Sequence, residues 1–301
     1  MLKNALVIKE KQRGKLGEMT VVNSLQDPIT SRQNKVVKQV CGLLEKKERR
    51  AAGLFRFDGI KLLCEAVQKG LRIENVIISD KVRPAILSKV EELDGSGMLD
   101  KVKVTFVCED VFLKMSEENS PEGIITVAAF PSNIKSDIGE VEKYFVDGKE
   151  KIILAESLRD PGNLGTVIRS AAALGIDRLI ITDDCADLYN PKTVRAAMGA
   201  IFSLKIDVVG ASELPKLILS LREAGRKIYA AALAKDAKKI GEMELVSGDA
   251  FVIGNEGHGL SQAVIEASDG SAIIPMSEGS ESLNAAAAAA ICIWETVRVS
   301  K

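Results

Sequence analysis

Residues 151–175 read KIILAESLRDPGNLGTVIRSAAALG. The segment opens on a run, KIILAES, whose centre is apolar at every position, as a strand buried on both faces requires. It closes on a stretch of small and apolar residues at helical spacing that ends at Gly175. Between the two lies a polar loop. Pro161 and Gly162 make a turn there, and Asn163 is placed to cap the helix that follows. Arg169 falls six residues after Asn163, well inside a helix of otherwise small or apolar residues. It either snorkels to solvent or reaches for an anion. Strand, polar loop and helix form the unit of a mostly parallel α/β sheet, in which ligands sit at the carboxyl ends of strands.

The same alternation continues to the end of the chain. RLIIT, SLKIDVV, KIYAAAL, AFVIG and SAIIP are candidate strands, separated by helical stretches such as NPKTVRAAMGA, ELPKLILSLREAG and SQAVIEAS. Towards the amino terminus the pattern is interrupted by PSNIKSDIGEVEKYFVDGKE and then resumes as a smaller block. There, SRQNKVVKQVCGLLEKKERRA is helical with Ser31 as its N-cap. GLFRFDGIKLLCEAVQKG is a strand and then a helix from near Gly59 to Gly70. IENVIIS, KVTFVC and GIITVAAF are further strands, with helices in RPAILSKVEEL and EDVFLKMS. These patterns predict an extension over 1–30, a first α/β domain over 31–132, a linker over 133–150 and a second α/β domain over 151–301.

Composition bounds the function. The chain has 301 residues, 46% hydrophobic but only 4% aromatic, so its cores are built of Val, Ile, Leu and Ala. No stretch approaches the roughly 18 unbroken apolar residues of a membrane helix, and the first residues lack the pattern of a signal peptide. A cytoplasmic protein is expected. Five scattered cysteines with no CxxC pair, and one histidine, predict neither a disulfide framework nor a metal site. The net charge of −1 hides a basic cluster between Ser31 and Arg50, where Arg32, Lys35, Lys38, Lys46, Lys47, Arg49 and Arg50 outnumber Glu45 and Glu48. Concentrated cations of this kind suit either a solvated helix face or the phosphates of a nucleic acid.

Two further loops carry candidate chemistry. In FVIGNEGHGLSQ an apolar strand ends in Gly254, and Gly257 and Gly259 follow within five residues. Such glycines permit close approach to a ligand, but the loop is neither GxGxxG nor a P-loop. Glu256 stands among them without an evident structural task, and His258 reads as a turn residue. In SAIIPMSEGSESLN a strand leads to Ser282 and Asn284, either of which can cap the next helix. That helix begins with six alanines, Ala285 to Ala290. Alanine has the highest helix propensity, so the run is a strong, thin helix.

NLGTVIRSAAALG, FVIGNEGHGLS and IPMSEGSESLNAAAAAAICIWE, in this order and at these strand ends, resemble the SpoU branch of the SPOUT RNA methyltransferases. NPKTVRAAMGAIFSLKI resembles the segment between the first two motifs. The segment from Ser31 to Gly70 is similar, more weakly, to the substrate-binding domain that often precedes the catalytic one, a fold akin to kink-turn-binding ribosomal proteins. The family usually has Glu where Asp58 stands, and a less uniform helix in place of the alanine run. The resemblance implies a deep trefoil knot in the parallel sheet of the second domain, a homodimer through that domain, and S-adenosylmethionine as cofactor. It implies methyl transfer to a ribose 2′-hydroxyl of RNA, ribosomal RNA before transfer RNA, without metal or membrane. Asn163, Arg169, Glu256, Ser282 and Asn284 take the catalytic positions, while Leu233, Gly254, Ile274, Met276 and Leu283 contact the cofactor. Arg32, Lys35, Lys46, Lys47, Arg49 and Arg50 face RNA in this reading. A thin alanine helix would fit beside threaded backbone and a partner subunit. Rival readings are a non-catalytic RNA-binding module with a vestigial transferase domain and a nucleotide-dependent oxidoreductase. The full set of motif residues argues against the first, and the missing glycine-rich turn after the strand at 152 against the second.

Overall fold

A computed structural model describes residues 27–97, 99, 102–136, 150–234, 236–277 and 282–299. Most of the expected extension and of the expected linker, 1–26 and 137–149, lies outside the described residues.

The first unit runs α1 (Lys35–Gly42), α2 (Lys46–Ala52), β1 (Leu54–Asp58), α3 (Ile60–Gln68), β2 (Ile73–Ser79), α4 (Pro84–Gly95), β3 (Lys103–Val107), α5 (Glu109–Met115) and β4 (Ile124–Ala129). Its four strands order as β1-β4-β2-β3, with β2 and β3 parallel and the other pairs antiparallel. The basic segment forms two short helices. The first is capped by Asn34, whose side chain accepts the N–H of Val36, and Ser31 instead accepts the N–H of Gln33. Ile29, placed by sequence in the extension, already bridges to Val107 and belongs to this unit.

The second unit continues with β5 (Ile134–Lys135), β6 (Ile152–Ala155), α6 (Pro161–Leu174), β7 (Arg178–Thr182), α7 (Pro191–Ala197), β8 (Lys205–Val209), α8 (Leu214–Glu223), β9 (Ile228–Ala231), β10 (Lys238–Lys239), β11 (Ala250–Ile253), α9 (Gln262–Ala267), β12 (Gly270–Ile273) and α10 (Ala285–Arg298). The eight strands order as β10-β12-β9-β11-β6-β7-β8-β5, and every pair is parallel. Complete burial of β6 and β11 explains their unbroken apolar sequences, and β7 is buried throughout with Arg178 paired to Glu150 and Asp207. The linker expected from 133 begins inside this sheet, because Ile134 and Lys135 pair with Ile206 and Asp207.

Small residues set the helix spacing. A Cβ on Gly165 of α6 would stand 2.6 Å from the Cβ of Ala196, so α6 and α7 lie closer than any side chain at 165 allows. Helix α10 packs on α6, β11 and β6 through Ala285, Ala286, Ala289, Cys292 and Ile293, all buried. The alanine run is thin on this face because it lies against another helix of the same chain.

The two units share one core. Phe55, Phe57, Leu62 and Ala66 of the first join Ile201, Phe202 and Leu204 of the second in a continuous buried cluster. Phe57 and Phe202 stand 5.3 Å apart, and Phe130 stacks on Tyr189 at 4.0 Å and 10°. Each fully buried aromatic of this kind stabilises by about 1.5–3 kcal/mol relative to exposure.

Candidate active site

The parallel sheet brings the motif loops to one edge, because β6, β11, β9 and β12 are neighbours and all their carboxyl ends point the same way. The loop after β6 is shaped by Ser157, one of two non-glycine residues with positive φ among the described residues, at 55°. Its N–H is held by Thr182 Oγ1 at 2.8 Å and its hydroxyl donates to Asp184 at 2.6 Å. Asp160, not Asn163, caps α6: its carboxylate accepts the N–H of Asn163 at 2.8 Å. Pro161 at the first helical position loses nothing by lacking an N–H.

Relieved of capping, Asn163 joins the three loops. Its Nδ2 donates to Glu256 at 3.0 Å, and its Oδ1 accepts from Asn284 Nδ2 at 3.0 Å. Asn284 in turn caps α10 by accepting from the N–H groups of Ala286 and Ala287. Glu256 also accepts the N–H groups of Arg159 and Asp160, each at 3.3 Å. Asn255 ties the second loop to the first by donating to the carbonyl of Ser157 at 2.7 Å, and accepts from Gly257 and His258 within its own turn. A Cβ on Gly254 would fall 2.5 Å from the backbone nitrogen of Leu260, so this turn can close only on glycine.

Electrostatics follow from these bonds. Partial burial alone would raise the Glu256 carboxyl, but the donors from Asn163, Arg159 and Asp160 outweigh it and hold it below the ordinary range. The N–H of Asn163 lowers Asp160, desolvation opposes it, and the Lys192 ammonium adds to the lowering. Both are therefore carboxylates at neutral pH.

The structure brings Asn163, Glu256 and Asn284 into one hydrogen-bonded chain. It does not bring Arg169 or Ser282 into it. Both are exposed, and neither makes a hydrogen bond or ion pair among the described residues. Of the residues expected at the cofactor, Leu233 follows β9, Gly254 follows β11, and Ile274 and Met276 follow β12, on three adjacent strand ends. Leu233 and Leu283 leave 69% and 41% of their surface exposed, which is much for large apolar side chains. An edge of backbone and apolar side chains suits an adenosine and the alkyl chain of a sulfonium.

In the basic segment, Arg32, Lys35, Lys46, Lys47 and Arg50 are exposed. Arg49 is not, and its expected place on RNA is corrected. It is 3% exposed, donates to the carbonyls of Leu43 and Leu44, and pairs with Asp187 of the second unit at 2.6 Å. On α2 it occupies the inward face, where a guanidinium is tolerated only because carbonyls and a carboxylate surround it. Asp160, Ser157 and Asn255 support the site and were missed. Asp160 had a legible signal, an acidic residue directly before a helix-starting proline.

Residues 150–294 match the SpoU rRNA Methylase family, and residues 34–126 match the MRM3-like substrate binding domain. The chain is 32% identical over 266 residues to 23S rRNA (guanosine(2553)-2′-O)-methyltransferase RlmP of Bacillus subtilis, covering 88% of this chain and 97% of that one. It is 29% identical to 23S rRNA (uridine(2479)-2′-O)-methyltransferase of Streptomyces viridochromogenes, covering 90% and 91%. The crystal structure of the SpoU methyltransferase AviRb from Streptomyces viridochromogenes with the cofactor AdoMet superposes with a TM-score of 0.71 at 27% identity, over 88% of this chain and 98% of that one. The fold and the loops at its carboxyl edge are those of an α/β methylase with an appended substrate-binding domain. The chain belongs to the SpoU rRNA methylase family.

Proposed function

We propose that this protein transfers a methyl group from S-adenosylmethionine to a ribose 2′-hydroxyl of ribosomal RNA in the cytoplasm. The chain is an S-adenosylmethionine-dependent RNA (ribose-2′-O)-methyltransferase. The observation that carries the reading is the Glu256–Asn163–Asn284 chain, which joins three loops at adjacent strand ends. The ribosomal substrate is favoured because both relatives above carry 23S rRNA in their names.

The roles of the residues follow from their partners. Glu256 has its oxygens occupied by three donors and a lowered pKa, so it organises the loops and is a poor proton acceptor. Arg169 has no partner among the described residues, and its planar fork is available to hold the ribose and a neighbouring phosphate. An arginine stays protonated, so its part is positioning and stabilising the oxygen as its proton leaves. Leu233, Gly254, Ile274, Met276 and Leu283 would hold the cofactor. S-adenosylmethionine supplies a methyl already activated on a sulfonium.

The knot and the dimer belong to the same reading. Strand β12 lies between β9 and β10, which are consecutive in sequence and separated by only 232–237. This insertion supports a knotted crossing. On α10, Ala287, Ile291 and Trp294 line the face turned away from α6, and Trp294 is 47% exposed, which supports a partner subunit there. Incubating the protein with methyl-labelled S-adenosylmethionine and unmodified ribosomal RNA, then digesting to nucleosides, tests the assignment. A single 2′-O-methylated nucleoside is expected; label only on a base, or none, would sink it.

A further inference from the structure

A groove of about 470 Å³ runs along the seam between the two units, within the roughly 300–1,000 Å³ of ligand clefts. One wall is α2, which presents Lys46 and Arg50; the other is the carboxyl end of β7 and the segment after it, with Phe130 and Tyr189 stacked at the side. Its charges are unbalanced. Asp187 is taken by Arg49 and by the N–H of Tyr189, and Asp183 accepts the N–H of Ala211. Lys46 and Arg50 are exposed and form no ion pair among the described residues. With Arg49 and Asp187 paired, Lys46 and Arg50 outnumber the remaining carboxylate, Asp183, in a cleft with an aromatic side.

The groove also abuts the reaction loops. Thr182 lines it and holds the N–H of Ser157, while Asp184, two residues on, takes the Ser157 hydroxyl and the Arg159 guanidinium at 3.4 Å. Arg159 is 69% exposed and its own N–H donates to Glu256. The segment 182–184 thus connects the groove to Ser157 and Arg159, which lie beside the Glu256–Asn163–Asn284 site.

We propose that the seam groove holds an unpaired segment of the substrate RNA, with phosphates at Lys46 and Arg50 and a base against the Phe130–Tyr189 wall. This deepens the ribose-methylation reading and rests on it. The size of the cleft excludes a duplex, whereas unpaired bases stack on aromatic surfaces and their backbones track cations. Buried Arg49 is the positioning residue: its bond to Asp187 fixes α2 against the second unit, which aims Lys46 and Arg50 inward.

The test measures binding of a fluorescent ten-nucleotide oligouridylate, and of the same length as a duplex, to the full chain. Ser136 lines the groove and is exposed, so Ser136→Trp plugs it from the rim without entering a core. Ser136→Trp is expected to weaken single-strand binding at least tenfold at unchanged melting temperature. The double variant Lys46→Gln, Arg50→Gln is expected to weaken it similarly and to lower the slope of log affinity against log salt by about 1.4, from about 0.7 per phosphate contact. Wild-type affinity in both variants, or tighter binding of the duplex than of the single strand, overturns the proposal. Cofactor binding and methyl transfer are followed separately. Lost methyl transfer with groove binding intact would overturn the reaction assignment, and intact transfer with no groove binding would overturn the groove alone.

Discussion

At the carboxyl edge of the large sheet, Asn163, Glu256 and Asn284 hold three loops together by 3.0 Å bonds in exposed surroundings. At the seam, Arg49 meets Asp187 at 2.6 Å with 3% of its side chain exposed, and the rings of Phe55, Phe57, Phe202 and Tyr189 pack across the same seam. The first region consists of polar groups that satisfy one another and leave Arg169 unengaged. The second consists of apolar surface with a largely buried charge pair at the wall of the groove. Solvated bonds cost little to break, so the loops can adapt to a substrate, while a buried guanidinium cannot be left alone. The loops should therefore govern rate and the seam should govern stability and the angle between the units.

The largest expected effect tests the first half of that contrast. Arg169→Ala should lower single-turnover methyl transfer a hundredfold to a thousandfold, about 3–4 kcal/mol, with cofactor affinity and melting temperature nearly unchanged. Arg169→Lys should recover only part, since a point charge does not reproduce the fork. Wild-type turnover in Arg169→Ala would remove this residue from the reaction. At the seam, Asp187→Ala should cost about 3 kcal/mol of stability by stranding Arg49, read as a lower urea midpoint. Cofactor binding at the far edge should persist in that variant. An unchanged midpoint would show that the carbonyls of Leu43 and Leu44 suffice for the guanidinium.

Asn163→Ala should come next, because it deprives Glu256 and Asn284 of one partner each. A loss of about 1–3 kcal/mol is expected in the rate, with less in global stability because water can replace the amide. Gly165→Ala probes the helix that links the two regions. The added methyl meets Ala196, so a cost of about 1–3 kcal/mol should appear in the urea midpoint. A neutral Gly165→Ala would mean that α6 and α7 can separate without loss.

The sequence disclosed these regions unequally. Strands β6 and β11 were legible because complete burial leaves an unbroken apolar run, and the loops were legible because they follow those runs at fixed places. Asn284 as a cap was readable from its neighbours, whereas Asn163 looked like a cap until Asp160 proved to hold that position. A cap is a local bond and either residue could make it; only the meeting with Glu256, 93 residues away in sequence, separates their tasks. Arg49 was read with its neighbours as an RNA-facing cation for the same reason. Nothing within α2 announces Asp187, 138 residues further on. The thin alanine face was correctly taken to need close approach, but its occupant on the buried side is α6 of the same chain.

The smallest expected effect concerns pH, and it measures how much the charge of the loop carboxylates contributes. Hydrogen bonds to Asn163 lower both Asp160 and Glu256 in the folded protein, whereas the unfolded chain has ordinary values, about 3.9 for Asp and 4.3 for Glu. Around those values the unfolded state binds more protons than the folded one, so stability rises with pH there. Their contribution is complete above the ordinary carboxylate range and is lost as pH falls through the lowered folded values. It is small because both groups are substantially solvated. Urea midpoints of the wild type and Glu256→Gln should therefore differ by a constant amount from pH 7 down to about 5, then converge below about 4. Convergence locates the contribution in the ionised carboxylate. If the gap were the same at pH 7 and pH 3.5, the shape of Glu256 and not its charge would tie the loops together, and the exposed region would resemble the seam more closely than its geometry suggests.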